Sequence, residues 1–384
     1  MNTPRSLYLH VPFCARRCHY CDFAVQPGRR AEVRAWLDSV AKELALMGAA
    51  KSWQLPLPLE TIYLGGGTPS MLGLGAVEEL ASRLRRFFAW EPDGVEWTAE
   101  ANPESFDRAL ADDWRAAGVN RVSLGVQSFH PPALRWMGRL HGPEGARGAV
   151  AAARGAGFGS VNVDLIFGLP ERLGRDWEVD LDSALALEPE HVSLYGLSAE
   201  PGAPLGRRVL EKRDVLPDEE VYASEYRTAH QRLTAAGFGH YEVSNFARPG
   251  KRSRHNAAYW TGAAYLGVGP SAHSFEPPLR RWNLRDWRAY RCAVEDGQLP
   301  VEGVEELAPA ERALEQAWLG FRTQEGVALA GAGRARRELA RRWEAAGWAG
   351  VTASRLRLTV AGWLLLDQLA VEWAAAEEPS RAVA

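Results

Sequence analysis

Short apolar or β-branched runs alternate with longer amphipathic segments through the first half of the chain. Runs at 7–11, 61–64, 95–99, 121–126, 160–167 and 191–195 predict strands. Between them, apolar positions recur three and four residues apart in 32–47, 76–88, 107–117, 144–156 and 177–187, which predicts helices covering one face of a sheet. Strands separated by helices imply parallel pairing, because a parallel connection needs a crossover long enough to hold a helix. Periodicity alone leaves open whether that sheet lies flat or curls into a partial barrel.

The rhythm fades after Pro249, where a basic turn at 248–254 begins. Segments 310–319 and 334–346 return to helical spacing, 356–359 predicts a short strand, and 360–375 a final helix. The expected organisation is therefore a main unit over 1–249, a connecting segment over 250–306 and a small, largely helical unit over 307–384.

Composition changes this picture little. A formal net charge of −3 and 24% charged residues suit a soluble globular protein and give no electrostatic reason for nucleic-acid binding. The last unit carries Asp367, Glu372, Glu377 and Glu378, which also disfavours a nucleic-acid reader. The 15 tryptophans are read as core and helix packing, with an aromatic ligand surface as the rival reading. No apolar leader precedes Cys14, and Asp367, Gln368 and Glu372 interrupt the most hydrophobic late stretch, so neither a secretory signal nor a membrane span is expected. A cytoplasmic location is the default expectation, with peripheral membrane contact left open.

Candidate chemistry is concentrated in Cys14-Ala-Arg-Arg-Cys18-His-Tyr-Cys21, which holds three of the chain's four cysteines. Thiols this close pair poorly as disulfides but can face one soft metal centre. Held by three cysteines, a four-iron cluster keeps one iron open; alternatively, His10 or His19 would complete a zinc site of three thiolates and one imidazole. The distant Cys292 is expected to be a small core residue.

Polar residues sit at the ends of nearly all the predicted strands. The second runs into Gly65-Gly66-Gly67-Thr68-Pro69, the third ends at Glu100 before Asn102, and the fourth at Gln127-Ser128; the fifth carries Asp164, and Ser198 follows the sixth. Each alone is an ordinary turn or helix cap. Together, at the carboxyl ends of parallel strands, they predict a shared site. Glycines allow close backbone approach, Glu100 and Asp164 accept from hydroxyls or an ammonium, Arg139 can grip a carboxylate, and Tyr20 and Phe23 offer flat surfaces. Such a set suits a zwitterionic nucleoside such as S-adenosylmethionine.

Cys14-x-x-x-Cys18-x-Tyr20-Cys21 resembles the signature of radical S-adenosylmethionine proteins. The flanking Tyr8-x-His10-x-Pro12-Phe13, with Gly125-Val126-Gln127-Ser128-Phe129 and Asn162-x-Asp164-Leu165-Ile166-Phe167-Gly168-Leu169-Pro170, is similar to the oxygen-independent coproporphyrinogen dehydrogenase group. The resemblance implies a partial (β/α)6 TIM-like barrel with a small C-terminal winged-helix-like domain. It implies a 4Fe-4S cluster on Cys14, Cys18 and Cys21, and S-adenosylmethionine contacts from Tyr8, Tyr20, Gly66, Gly67, Thr68, Glu100, Gln127, Arg139 and Asp164.

Two departures separate this chain from the porphyrinogen-oxidising enzyme. Phe23 stands where that enzyme has a further cysteine, and Cys14 lies close to the first residue. His255-Asn256-x-x-Tyr259-Trp260 resembles the motif of the group's haem-chaperone branch. The implied function is to bind haem and pass it to acceptor proteins, with membrane-associated respiratory enzymes as the implied acceptors. The cluster and S-adenosylmethionine would then be structural or regulatory, with a homodimer among the arrangements they could control. His255 is the candidate axial ligand, with Asn256, Tyr259 and Trp260 beside it and His273 as its rival. Porphyrinogen oxidation and other radical chemistry on a tetrapyrrole remain the alternatives.

Overall fold

The six expected strands all form, as Ser6–Val11 (β1), Thr61–Gly66 (β2), Glu96–Ala101 (β3), Arg121–Gln127 (β4), Ser160–Phe167 (β5) and His191–Gly196 (β6), in a computed structural model that describes residues 4–27 and 30–376. They lie in spatial order 1-2-3-4-5-6, every neighbouring pair parallel, with β1 and β2 aligned at Ser6↔Thr61. Inside β1, Leu7, Leu9 and Val11 are wholly buried in the same apolar core as Trp36, Val40 and Leu44 of helix Arg30–Ala50. Each such side chain contributes about 1.5–3 kcal/mol. Tyr8 and His10 face the other way because successive strand side chains alternate, and Tyr8 stacks on Tyr63 of β2 at 6.0 Å between ring centroids.

The sheet extends past both edges. On one side the hairpin Gly239–Glu242 (β7) and Asn245–Ala247 (β8) continues it, β8 running antiparallel to β6. On the other, Tyr265–Val268 (β9) pairs parallel with β1, and His273–Glu276 (β10), Leu279–Asn283 (β11) and Val301–Glu306 (β12) add an antiparallel meander. Segment 250–306 thus contributes four strands to the main sheet. Their sequences lack clean alternation: β11 reads Leu-Arg-Arg-Trp-Asn, with Asn283 buried on Glu43.

The described residues beyond 307 form four helices, Pro309–Phe321, Arg334–Ala345, Val360–Trp363 and Leu366–Ala375, around a three-stranded antiparallel sheet of Val327–Ala328, Ala349–Val351 and Arg355–Leu358. The expected single last helix is broken at Leu364 and Leu365. Glu377 and Glu378 lie outside the described residues. Arg322 joins this unit to the barrel: its Nε lies 3.2 Å from the wholly buried Glu242 carboxylate, and its guanidinium covers the Trp260 ring at 4.4 Å. Among the tryptophans, Trp36, Trp97, Trp114 and Trp343 are among the largest fully buried side chains.

One expectation is corrected. Cys292 is exposed, because helix Trp287–Glu295 turns Trp287, Tyr290 and Val294 inward and leaves position 292 on its outer face.

Candidate cofactor site

The carboxyl ends of the parallel strands open into a cavity of about 470 Å³ that also holds the cysteine loop. The loop is fastened to the glycine-rich end of β2 by backbone hydrogen bonds, Gly67 N to Val11 O and Thr68 N to Phe13 O, both 2.7 Å. A side chain at Gly67 would place its Cβ 2.6 Å from Phe13 O and 2.8 Å from Val11 O, so only glycine lets the two strands meet here. At Gly66 the backbone has φ +105° and a Cβ would lie 2.6 Å from the His10 ring. Cys14 Sγ then sits 3.2 Å from Thr68 Oγ1, and a Cys21 N to Cys18 O bond of 3.2 Å closes the turn carrying the other two thiols.

Cys14, Cys18 and Cys21 all line this one cavity. Burial pushes the Cys14 thiol up to about 11 and raises Cys21 as well. Left alone, Cys14 and Cys21 are protonated; a bound soft metal would displace their protons and hold thiolates. Arg139, whose Nη1 is 3.9 Å from Cys18 Sγ, supplies compensating positive charge. His10 is not free to ligate, since Nδ1 meets Tyr8 OH and Nε2 meets Ala24 O, both at 3.0 Å. His19 packs edge-on against Trp136 at 4.7 Å.

The same cavity is also lined by buried polar groups from the strand ends. Glu100 accepts from Tyr63 OH at 2.7 Å and Gly66 N at 3.1 Å; burial nevertheless lifts it to about 7. Asp164 accepts from Ser123 Oγ at 3.1 Å and Asn162 Nδ2 at 2.7 Å, and burial raises it too. Gln127 follows an irregularity in the β4–β5 pairing and has φ +68°, a strained conformation for a side-chain residue, and its buried Oε1 has no partner among the described residues. Arg139 is fixed by 2.6 Å bonds from Nη2 to Asn102 Oδ1 and to Gly125 O, while its buried Nε is unpartnered among the described residues. An unpartnered acceptor and an unpartnered donor at one cavity, beside three thiols and a glycine cradle, fit a polar ligand held against a cluster.

Of the expected S-adenosylmethionine contacts, Tyr20, Gly66, Gly67, Thr68, Glu100, Gln127, Arg139 and Asp164 line this cavity. Tyr8 does not; it lines a neighbouring cleft. Asn102, one of the strand-end polar residues, lines it as well; Ser123, also in the lining, and Tyr63, which donates to Glu100, were not expected. The inward strand alternation could have revealed them, since Ser123 shares a face with Gly125 and Gln127, and Tyr63 with Gly65.

The haem-motif residues lie elsewhere. His255 is 1% exposed on helix Arg254–Trp260; Nδ1 meets Thr61 Oγ1 at 2.8 Å and Nε2 meets Tyr259 OH at 2.9 Å. Asn256 begins the helix under a Ser253 cap, with its N donating to Ser253 Oγ at 3.2 Å. Trp260 packs under Arg322. His273, on β10, is exposed and stacks on Trp282 at 5.9 Å.

A partial parallel barrel with three cysteines on the loop after its first strand defines a radical SAM protein, and the family pattern described as "Radical SAM superfamily" matches residues 8–184. The solved structure titled "Coproporphyrinogen III oxidase (HemN) from Escherichia coli is a Radical SAM enzyme" superposes with a TM-score of 0.80 at 23% identity, covering 97% of this chain and 90% of that one. Within the superfamily, "Heme chaperone HemW" of Mycobacterium tuberculosis (strain ATCC 25618 / H37Rv) is 40% identical over 368 residues, 95% of this chain and 93% of that protein. The Escherichia coli (strain K12) protein of the same name is 39% identical over 270 residues, 70% of each chain. The chain belongs to the HemW family.

Proposed function

We propose that this protein is a haem chaperone: it binds haem and releases it to acceptor proteins while carrying a 4Fe-4S cluster and S-adenosylmethionine. The observation that carries the reading is the match to "Heme chaperone HemW" across 95% of this chain and 93% of the relative, which spans the barrel, the meander and the C-terminal unit alike. Cys14, Cys18 and Cys21 would hold the cluster. Gly66, Gly67, Thr68, Glu100, Gln127, Arg139, Asp164 and Tyr20 would hold S-adenosylmethionine against it, and the cluster can supply an electron to that ligand when both are bound. This chain's own residues bind, orient and shield it: Arg139 compensates thiolate charge, Glu100 and Asp164 accept hydrogen bonds, and the buried walls exclude water.

Membrane-associated respiratory proteins are the acceptor class this reading implies, with peripheral contact and a homodimer as its quaternary form. Among the described residues, no helix is long and apolar enough to cross a membrane. Anaerobic reconstitution followed by paired assays tests the function. Haem transfer to an apo-acceptor is expected without oxidation of coproporphyrinogen, and robust porphyrinogen turnover would overturn the reading in favour of an enzyme.

A further inference from the structure

Beside the cofactor cavity, and sharing Asp22 and Phe23 with it, lies a second cleft of about 340 Å³ on the side where the meander leaves β1. Its volume falls in the usual range of small-molecule sites, roughly 300–1,000 Å³. Tyr259 and Tyr265 form one wall, set edge to face at 4.6 Å. The Tyr259 hydroxyl is tied down by His255 Nε2. His273 lines the same cleft. Unlike His255, it makes no hydrogen bond through either ring nitrogen among the described residues. Its ring is steadied by Trp282, the directly paired residue of β11, whose indole lies over Gly303 so closely that a Cβ there would come within 2.2 Å. Phe23 in its lining is 63% exposed, and among the described residues Arg285 hydrogen-bonds only Asp22, through Nη2.

A neutral imidazole with a free lone pair, flat aromatic walls, an exposed apolar side chain and a cation at the rim are the elements that recognise an amphipathic iron porphyrin: ligation of iron, stacking on the macrocycle and pairing with a propionate. Partial desolvation of this otherwise exposed ring, followed by the nearby Arg280, lowers His273 below its ordinary value. Resting on the haem-chaperone reading above, we infer that this cleft is the haem site and that His273 is the axial ligand, the His255 motif acting by holding Tyr259 in the wall. The cleft is smaller than a whole macrocycle and open to solvent, which suits a cargo held by one edge and handed on.

The test is haemin titration of the reconstituted full chain, read at the Soret band. His273→Ala should weaken binding by roughly tenfold or more and change the spin-state signature, with added imidazole restoring the wild-type spectrum. His255→Gln should weaken binding without changing the axial-ligand signature. An unchanged Soret band and affinity in His273→Ala, with normal haem uptake by the wild type, would overturn the assignment alone. Failure of the wild type to take up haem would instead overturn the chaperone reading on which it rests.

Discussion

Tyr63 donates a 2.7 Å hydrogen bond to Glu100 in the lining of the cofactor cavity, and the face of the same ring stacks on His255 at 5.0 Å. One phenol therefore connects the expected nucleoside site to the His-Asn-x-x-Tyr-Trp helix, two features that are far apart in sequence.

That contact controls the charge of Glu100. Burial raises the carboxyl to about 7, while the Tyr63 and Gly66 hydrogen bonds pull it down. If the carboxylate accepts from S-adenosylmethionine, affinity rises about tenfold from pH 6 to pH 8 as Glu100 ionises, and Tyr63→Phe moves that rise to higher pH and weakens binding at pH 7 by about tenfold. Calorimetric titration at several pH values checks this; a flat profile would remove Glu100 from the binding set.

The Gly67 contact predicts a defect in the cluster loop. Gly67→Ala drives a methyl into the Phe13 and Val11 carbonyls, backbone atoms that cannot move aside cheaply. Iron content after reconstitution should fall several-fold, with about 1–3 kcal/mol of destabilisation. Gly142→Ala, where nothing lies within 4 Å, should be close to neutral in both measurements.

Buried neutral histidines make the fold acid-sensitive. Burial lowers His255 and His240 to about 3. Because the folded value lies below the unfolded one, the unfolded chain binds more protons between them; the contribution is complete above the unfolded value near 6.5 and is lost as pH falls toward 3. Each such group costs about 2 kcal/mol at pH 5. Denaturant midpoints should drop between pH 7 and pH 5, and His255→Gln should flatten that drop.

Attachment of the C-terminal unit rests on Arg322. Arg322→Ala leaves the wholly buried Glu242 without its cation and uncovers Trp260, and should destabilise the protein by about 3–5 kcal/mol. Glu242→Gln in the same chain should recover part of the loss, because the stranded charge is gone. Equal destabilisation of the single and double variants would show that the stacking on Trp260, not the ion pair, carries the attachment.

The six parallel strands, the cysteine loop and most of the cofactor wall were legible because they rest on local patterns: continuous apolar runs for strands buried on both faces, and polar residues at their ends. Strands β9 to β12 were not. Their alternation is broken by residues such as Asn283, whose burial is made tolerable by Glu43, a partner far away in sequence, and Arg281, half-buried beside Met47. Cys292 was misread for the complementary reason, since a cysteine's hydrophobicity says nothing about which face of an amphipathic helix it occupies.

By itself the sequence determined the α/β class and the radical SAM signature of closely spaced cysteines, since hydrophobic periodicity and motif spacing are properties of short stretches of chain. Only the tertiary structure decided which histidine is sealed and which is open. His255 and His273 are both plausible ligands as residue types. Their hydrogen-bonding state depends on Thr61, Tyr259 and Trp282, which long-range strand pairing and helix packing bring to them, and no local pattern records it.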